Sequence, residues 1–272
     1  MSENINYYRD KDIHLYQVTD NYILVLQMYP DTFSYAIVHK NRLVAMGIDC
    51  SLDVLHEPGH NHDLLNYNFR QIVTGLPSTG FTLVPTLLYS KDRVADLARF
   101  LDVQSHEKVI AQPLDNENHI IYKVDESLIN RAEPYSLENP VFLAKGWITA
   151  IANYNPQPNN LYLNIDNLNL VEVLYCIGDK VRFFNRFNFF NPDELVYYVA
   201  LAAKELDLQP QNLNLILSGD IELDDRNAIR LADFFKTVEL NDFNLLDYPA
   251  EVKPHKILPL IALSLCASSE VF

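Results

Sequence analysis

The stretch that decides the fold runs from residue 161 to residue 187, LYLNIDNLNLVEVLYCIGDKVRFFNRF. Its aliphatic, β-branched and aromatic runs predict strands at Leu161–Ile165, Leu168–Ile177 and Lys180–Phe187. Gly178-Asp179 is a two-residue turn pair, so the last two strands are expected to form an antiparallel hairpin. We therefore predict an antiparallel meander in the second half of the chain.

The first half of the chain has the same order of elements, with strands expected at Tyr22–Tyr29, Thr32–His39 and Arg42–Ile48. In each half, a helix and a single apolar strand are expected to follow the meander: Asn61–Leu76 and Phe81–Leu88, then Asn191–Leu206 and Leu213–Leu217. Chance recurrence in an ordinary α/β chain is the alternative. The repeated order favours a duplicated α/β protein.

Composition excludes several classes of function. The chain has 272 residues and a formal net charge of −15, so binding to nucleic acid or to an anionic membrane is not expected. Cys50, Cys176 and Cys266 are isolated and odd in number, which argues against a disulfide framework. The N-terminus lacks the apolar core of a signal peptide, and the apolar run 257–267 is too short to span a bilayer. We expect a cytoplasmic protein.

The repeated unit resembles the actin-like ATPase superfamily, which is built from two ribonuclease-H-like lobes. The segment 161–180 is similar to the phosphate-binding strand and hairpin of that superfamily, and Leu215–Asp220 to the turn that approaches the adenosine. Pro259–Ala267 resembles the returning helix of the pilus-assembly branch. More narrowly, the chain resembles an uncharacterised bacterial family of unknown function, which shares the strand Val84-Pro85-Thr86-Leu87-Leu88.

This resemblance implies two lobes, each with a mixed sheet that contains an antiparallel meander, parallel strands and flanking helices. The cluster Asn155-Pro156-Gln157-Pro158-Asn159-Asn160 is the clearest break in the sequence. We therefore assign residues 1–156 to the first lobe and 157–256 to the second. The segment 257–272 is expected to return to the first lobe.

The phosphate turns of the superfamily are altered in this chain. Working relatives use Asp-x-Gly turns, in which glycine brings backbone N–H groups close to phosphate. Here Asp166 is kept, but Asn167-Leu168-Asn169 replaces the glycine-containing turn, and Gln27–Pro30 occupies the corresponding stretch of the first half. Gly219 is followed by Asp220, whose charge would repel a nucleotide. We predict no catalytic residues.

The favoured hypothesis is a non-enzymatic interaction or scaffold protein, with no cofactor, whose partner is another protein or a second copy of the chain. The alternative is a divergent protein that binds ATP and Mg²⁺ between the lobes. In that case the nucleotide-binding residues would be Asp166, Asn167, Asn169, Ser218 and Gly219.

A second alternative is a metal-binding loop at residues 56–63, HEPGHNHD, with His56, His60 and His62 as weak candidate ligands. No second group of His or Cys residues accompanies this loop in the sequence, so a solvated loop is favoured. A cluster of aromatic residues has two open interpretations, either core packing or an exposed protein-binding patch; its members are Phe183, Phe184, Phe187, Phe189 and Phe190.

Overall fold

The computed structural model describes residues 6–11, 21–56, 63–66, 69–135 and 140–267. The chain divides into two compact units. The first comprises Met1–Trp147, Leu245–Val252 and Leu260–Phe272, and the second comprises Ile148–Asn244 and Lys253–Pro259. The first division in the sequence therefore falls at Trp147, whereas the predicted boundary lies at residue 156.

The first unit is built mainly from strands. Its strands are β1 Tyr7–Arg9, β2 Tyr22–Met28, β3 Thr32–His39, β4 Arg42–Ser51, β5 Gln71–Leu76, β6 Gly80–Pro85, β7 Glu107–Pro113, β8 Asn118–Asp125 and β9 Val141–Phe142. Its short helices are α1 Asp53–His56, α2 Val94–Ala98 and α3 Glu126–Ala132. The next helix, α4 Lys145–Asn153, begins in the first unit and ends in the second.

The described strands of the first unit form two sheets. The six-stranded sheet has the order β1-β4-β3-β2-β5-β9, and its strands β2, β5 and β9 run parallel. A separate three-stranded antiparallel sheet has the order β6-β8-β7. Strands β2, β3 and β4 are buried along most of their length, so they form the centre of the core.

The second unit has a five-stranded sheet with the order β12-β11-β10-β13-β14. Its strands are β10 Asn160–Ile165, β11 Leu170–Ile177, β12 Lys180–Asn188, β13 Asn214–Gly219 and β14 Thr237–Leu240. The helices α5 Pro192–Glu205 and α6 Arg226–Ala232 contribute apolar side chains to the same core cluster as strands β10, β11 and β13. The last helix, α7 Pro254–Ile261, begins in this unit. No helix among the described residues is long and apolar enough to cross a membrane.

The predicted duplication is confirmed by the two sheets. The order β4-β3-β2-β5-β9 repeats as β12-β11-β10-β13-β14, with an antiparallel meander followed by two parallel strands in each unit. The equivalent turns also match in backbone conformation, because Lys40 has φ 52° and Gly178 has φ 60°. Both turns therefore place a residue in the left-handed region, which suits hairpins.

The predicted helix at Asn61–Leu76 is wrong. Where the structure describes this segment, it contains a 3₁₀ turn at Asp63–Asn66 and the strand β5 at Gln71–Leu76. Strand β5 is buried on both faces, so its sequence lacks the alternation of a half-buried strand and instead matched a helical spacing by chance.

The predicted strand Phe81–Leu88 is shorter in the structure and has a different place in the fold. It ends at Pro85 and pairs with β8 in the three-stranded sheet. The strand equivalent to β13 is therefore β5, which pairs in parallel with β2 as β13 pairs with β10. The three-stranded sheet lies between β5 and β9 in the sequence and has no counterpart in the second unit.

Candidate functional site

The turn between β10 and β11 carries the predicted Asp166. One carboxylate oxygen of Asp166, Oδ1, accepts hydrogen bonds from the backbone N–H groups of Leu168 at 2.8 Å and Leu170 at 2.9 Å. Asn167 and Asn169 are exposed, and Asn169 has φ 59°. Burial raises the pKa of Asp166, while the hydrogen bonds from Leu170 and Leu168 act in the opposite direction. The carboxylate thus holds the turn in one conformation.

The end of β13 carries the other two predicted residues. Ser218 is fully buried, and its Oγ accepts a hydrogen bond from Asn241 Nδ2 at 3.2 Å. Gly219 is buried with φ 92°, and a Cβ at this position would lie 2.1 Å from the carbonyl oxygen of Ile165. Glycine is therefore required at this position by a close approach of two strands.

The sheet register places these segments at one edge of the second unit. Strands β10 and β13 pair in parallel, with Asn164 opposite Ser218 and Ile165 opposite Gly219. Beyond the ladder, the Asp220 N–H donates to the Ile165 carbonyl at 2.7 Å. Asp166 therefore follows β10 at the edge where Asp220 follows β13.

The equivalent turn of the first unit is a tight hairpin. The Tyr29 N–H donates to the Thr32 carbonyl at 2.8 Å, and Pro30 has no N–H. The Pro30 carbonyl accepts a hydrogen bond from Arg131 Nη1 at 2.6 Å. This turn has no loop of free N–H groups between Tyr29 and Thr32.

A buried polar pair beside Asp166 was missed by sequence reasoning. Glu172 on β11 is only 6 % exposed, and its Oε2 accepts a hydrogen bond from Asn164 Nδ2 at 2.9 Å. Burial raises the pKa of Glu172, while Asn164 and Arg186, which is opposite Glu172 in the β11–β12 register, act to lower it. The feature of the sequence that could have indicated this pair is a single carboxylate inside the apolar run Leu170–Ile177.

A second group of charges, also missed, binds the loop after β13 to the start of α7. Lys256 Nζ lies 3.1 Å from Asp220 Oδ1 and 3.2 Å from Glu222 Oε1, and Lys253 also pairs with Glu222. His255 is 3 % exposed, its Nε2 lies 3.9 Å from Glu222 Oε2, and burial lowers its pKa. These contacts neutralise two of the carboxylates in the loop.

The metal hypothesis falls mostly on residues that the structure leaves undescribed. His60 and His62 lie outside the described residues, and so does the side chain of His56. Within the described ranges, no group of three or more His, Cys, Asp or Glu side chains is arranged to hold a metal ion.

The aromatic cluster divides between the core and the surface. Phe184 and Phe189 are buried, while Phe183 and Phe187 are partly buried against the core of the second unit. Phe190 is 88 % exposed. Core packing therefore explains four of the five rings, and the fifth remains on the surface.

Solved structures show the fold of this chain. A protein of unknown function with an actin-like ATPase fold from Bacteroides thetaiotaomicron VPI-5482 is 18% identical, with a TM-score of 0.75 and coverage of 94% of this chain and 99% of that chain. The ethanolamine utilization protein EutJ from Carboxydothermus hydrogenoformans is 9% identical, with a TM-score of 0.51 and coverage of 91% of both chains. The chain therefore has the actin-like ATPase fold, with its repeated ribonuclease-H-like unit.

The family follows from the sequence itself. The model of the family described as "Protein of unknown function (DUF3822)" matches residues 14–238. The chain belongs to this family, which confirms the predicted resemblance. No curated protein matches the chain.

Proposed function

We propose that this protein is a non-enzymatic interaction or scaffold protein of the cytoplasm, built on an actin-like fold whose phosphate turns have been altered. Asp166 carries the proposal. Its Oδ1 accepts hydrogen bonds from the backbone N–H groups of Leu168 and Leu170. These are donors of the kind that a phosphate turn offers to its ligand. A phosphate would have to displace a carboxylate of the same chain and would meet its negative charge.

The first unit supports the same proposal. Its equivalent turn has lost one N–H at Pro30 and uses the Tyr29 N–H within the hairpin. The two turns therefore do not fit a triphosphate, because neither offers the row of free N–H groups that such a ligand needs. Cys50, Cys176 and Cys266 are free thiols, in keeping with a reducing compartment.

A divergent nucleotide-binding protein is the second candidate. The positive φ angles of Asn169 and Gly219 favour it, since left-handed residues occur in backbone arrangements that bind anions. In this case Asp166 would release the turn when Mg-ATP binds, with Asn167, Asn169, Ser218 and Gly219 completing the site.

Thermal unfolding with and without about 1 mM Mg-ATP tests the two candidates. A ligand at 100 times its Kd stabilises a fold by about 2.7 kcal/mol, and since each kcal/mol shifts the Tm of a protein of this size by about 2–4 °C, the expected rise is roughly 5–10 °C. We expect no shift beyond that produced by MgCl₂ alone. A reproducible rise in Tm with Mg-ATP would refute the proposal, and loss of that rise in Asp166→Ala would establish the second candidate.

The oligomeric state is measured on the same samples by light scattering after size exclusion. A monomer at about 50 µM points to a different protein as partner, whereas a concentration-dependent increase in mass points to a second copy. Both results are consistent with the interaction proposal, and they identify the kind of partner.

A further inference from the structure

We propose that the edge of the second unit formed by residues 166–169 and 189–194 is a docking surface for a segment of a partner protein. The expected segment carries an apolar side chain between basic residues. We call this edge the Leu168–Phe190 surface. The inference rests on the proposed function, because it names where the partner binds and what chemistry the partner presents.

Phe190 is the most prominent apolar side chain of this surface, with 88 % of its area exposed. It stands directly before the N-cap residue Asn191, whose Oδ1 accepts the Glu194 N–H at 3.0 Å, and Glu194 Oε2 accepts the Phe190 N–H at 2.9 Å. This pair of hydrogen bonds is a variant of the capping box, in which Glu194 accepts the N–H of the residue before the N-cap, and it fixes the backbone of Phe190.

The exposure of Phe190 is unusual for its position. An apolar residue just before the N-cap commonly packs against the fourth helical residue, which here is Leu195. Leu195 is fully buried in the core of the unit, whereas Phe190 projects into solvent. The chain therefore places a large ring on the surface without using it for its own packing.

Leu168 is the second apolar side chain of the surface, with 70 % of its area exposed. Its N–H donates to Asp166 Oδ1 at 2.8 Å. The carboxylate that occupies the donors of the former phosphate turn therefore also positions Leu168. Because the backbone around both apolar residues is fixed, a partner would order little of this protein when it binds.

A hydrogen bond joins the two segments. The Phe189 N–H donates to the Asn169 carbonyl at 3.0 Å, which extends the pairing of β11 with β12 by one step beyond Leu170 and Asn188. Leu168 and Phe190 are each the next residue along these two paired segments. The two exposed side chains therefore belong to one continuous surface.

The charge of the edge indicates the chemistry of the partner. The two segments of the surface contain three carboxylates and no Lys or Arg, and a third segment, 220–225, which follows β13 at the same end of the sheet, adds four carboxylates. Asp193, Asp220 and Glu222 pair with Arg230, Lys256 and Lys253 from elsewhere in the unit. Asp224 and Asp225 are exposed on the third segment. Apolar anchors beside excess negative charge complement an apolar residue flanked by Lys or Arg.

Fluorescence anisotropy with three labelled synthetic peptides of 12 residues tests the proposal. The first peptide carries Leu and Phe flanked by Lys and Arg. The second has Glu in place of the basic residues, and the third has Ser in place of the apolar ones. The full-length protein is compared with the double variant Leu168→Ser, Phe190→Ser and with the control Tyr197→Ser, which removes a side chain 61 % exposed on α5 of the same unit.

We expect the wild-type protein to bind the first peptide at least 10-fold more tightly than the other two, with affinity falling as NaCl rises. The double variant should lose at least 10-fold in affinity, and Tyr197→Ser should lose less than 2-fold. Circular dichroism and Tm should be unchanged in both variants, because the substitutions keep the backbone hydrogen bonds of the turn and the cap.

Three results would overturn the docking surface. The first is equal binding of the three peptides, and the second is an equal loss of affinity in both variants. The third is self-association of the wild-type protein that the double variant abolishes, since the occupant would then be a second copy. A Tm shift with Mg-ATP on the same samples would instead remove the proposed function, so the two failures are distinguished.

Discussion

Replacing Gly219 with alanine tests whether this glycine serves the packing of the sheet or a ligand. Gly219 ends β13 with φ 92°, in the backbone region that L-residues rarely adopt. An alanine Cβ would lie 2.1 Å from the Ile165 carbonyl oxygen and 2.7 Å from Asn164 Oδ1. The same carbonyl accepts the Asp220 N–H, so it cannot move away without losing a hydrogen bond.

Two costs add in this variant. The left-handed backbone costs a non-glycine residue about 1–2 kcal/mol. Forcing a methyl group against a fixed backbone atom costs about 1–3 kcal/mol more. We therefore expect Gly219→Ala to lower the free energy of unfolding of the second unit by about 2–5 kcal/mol.

Gly178→Ala is the matched control. Gly178 also has a positive φ, 60°, but no atom lies within 4 Å of the position that its Cβ would take. Only the backbone cost remains, so we expect a loss of about 1 kcal/mol. Hydrogen exchange read by mass spectrometry on peptides from β10, β11 and β13 measures both variants locally, which matters because the two units need not unfold together.

Equal losses in Gly178→Ala and Gly219→Ala would refute this reasoning, since the contact with Ile165 would then have no energetic effect. Unchanged stability in Gly219→Ala together with a lost response to Mg-ATP would show instead that the glycine serves a ligand. The expected outcome is a difference of at least about 1 kcal/mol between the two variants and no response to Mg-ATP in either.

Three further predictions concern single carboxylates. Asp166→Ala should lower the free energy of unfolding of the second unit by about 1–2 kcal/mol in urea, because two N–H groups lose their acceptor. Asp166→Asn keeps an acceptor oxygen, so its loss of stability should be less than half as large. Equal losses in the two variants would contradict the role assigned to Asp166. The pKa of Glu172 is raised by burial, so its ionised form is disfavoured in the fold, and the wild type should lose stability relative to Glu172→Gln as the pH rises above the ordinary value of about 4.5. A stability difference that does not change with pH would exclude this. Burial alone would raise the pKa of Glu107, but hydrogen bonds from Gln104, Lys123 and Thr79 lower it to about 2. Glu107→Gln should therefore lower the free energy of unfolding by about 2–3 kcal/mol at neutral pH, and the difference from the wild type should shrink as the pH falls from about 4.5 towards 2. Acid unfolding followed by circular dichroism measures this difference.

The local pattern of the sequence was sufficient to predict an element where a two-residue turn joins neighbouring strands or an N-cap residue marks the start of a helix. Both meanders were predicted within a few residues, and so was α5, whose N-cap Asn191 and following Pro192 mark the start. Strand β5 was mistaken for a helix because burial on both faces removes the alternation that identifies a strand. The three-stranded sheet was not separated from the main one, since pairing partners far apart in sequence leave no local mark.

In the candidate site, too, some features could be predicted from the sequence and others could not. The sequence alone established that Asp166 remains while the glycine of its turn is lost, because residue types can be compared with a motif directly. Only the tertiary structure decided where that carboxylate points, and it binds the N–H groups of its own turn. The charged group of Lys253, His255 and Lys256 was likewise beyond the sequence, because more than 30 residues separate these side chains from Asp220 and Glu222.

The sequence by itself determined the class of the fold, since hydrophobic periodicity, turn residues and their recurrence are all local properties of the chain. It also determined the net charge of −15, from which we predict that nucleic acid is not a ligand. Only the tertiary structure decided that Ser218 is buried, that Gly219 is required by the Ile165 carbonyl, and that Phe190 is exposed. These properties depend on how closely segments distant in sequence approach each other, and a linear pattern of residue types does not encode that distance.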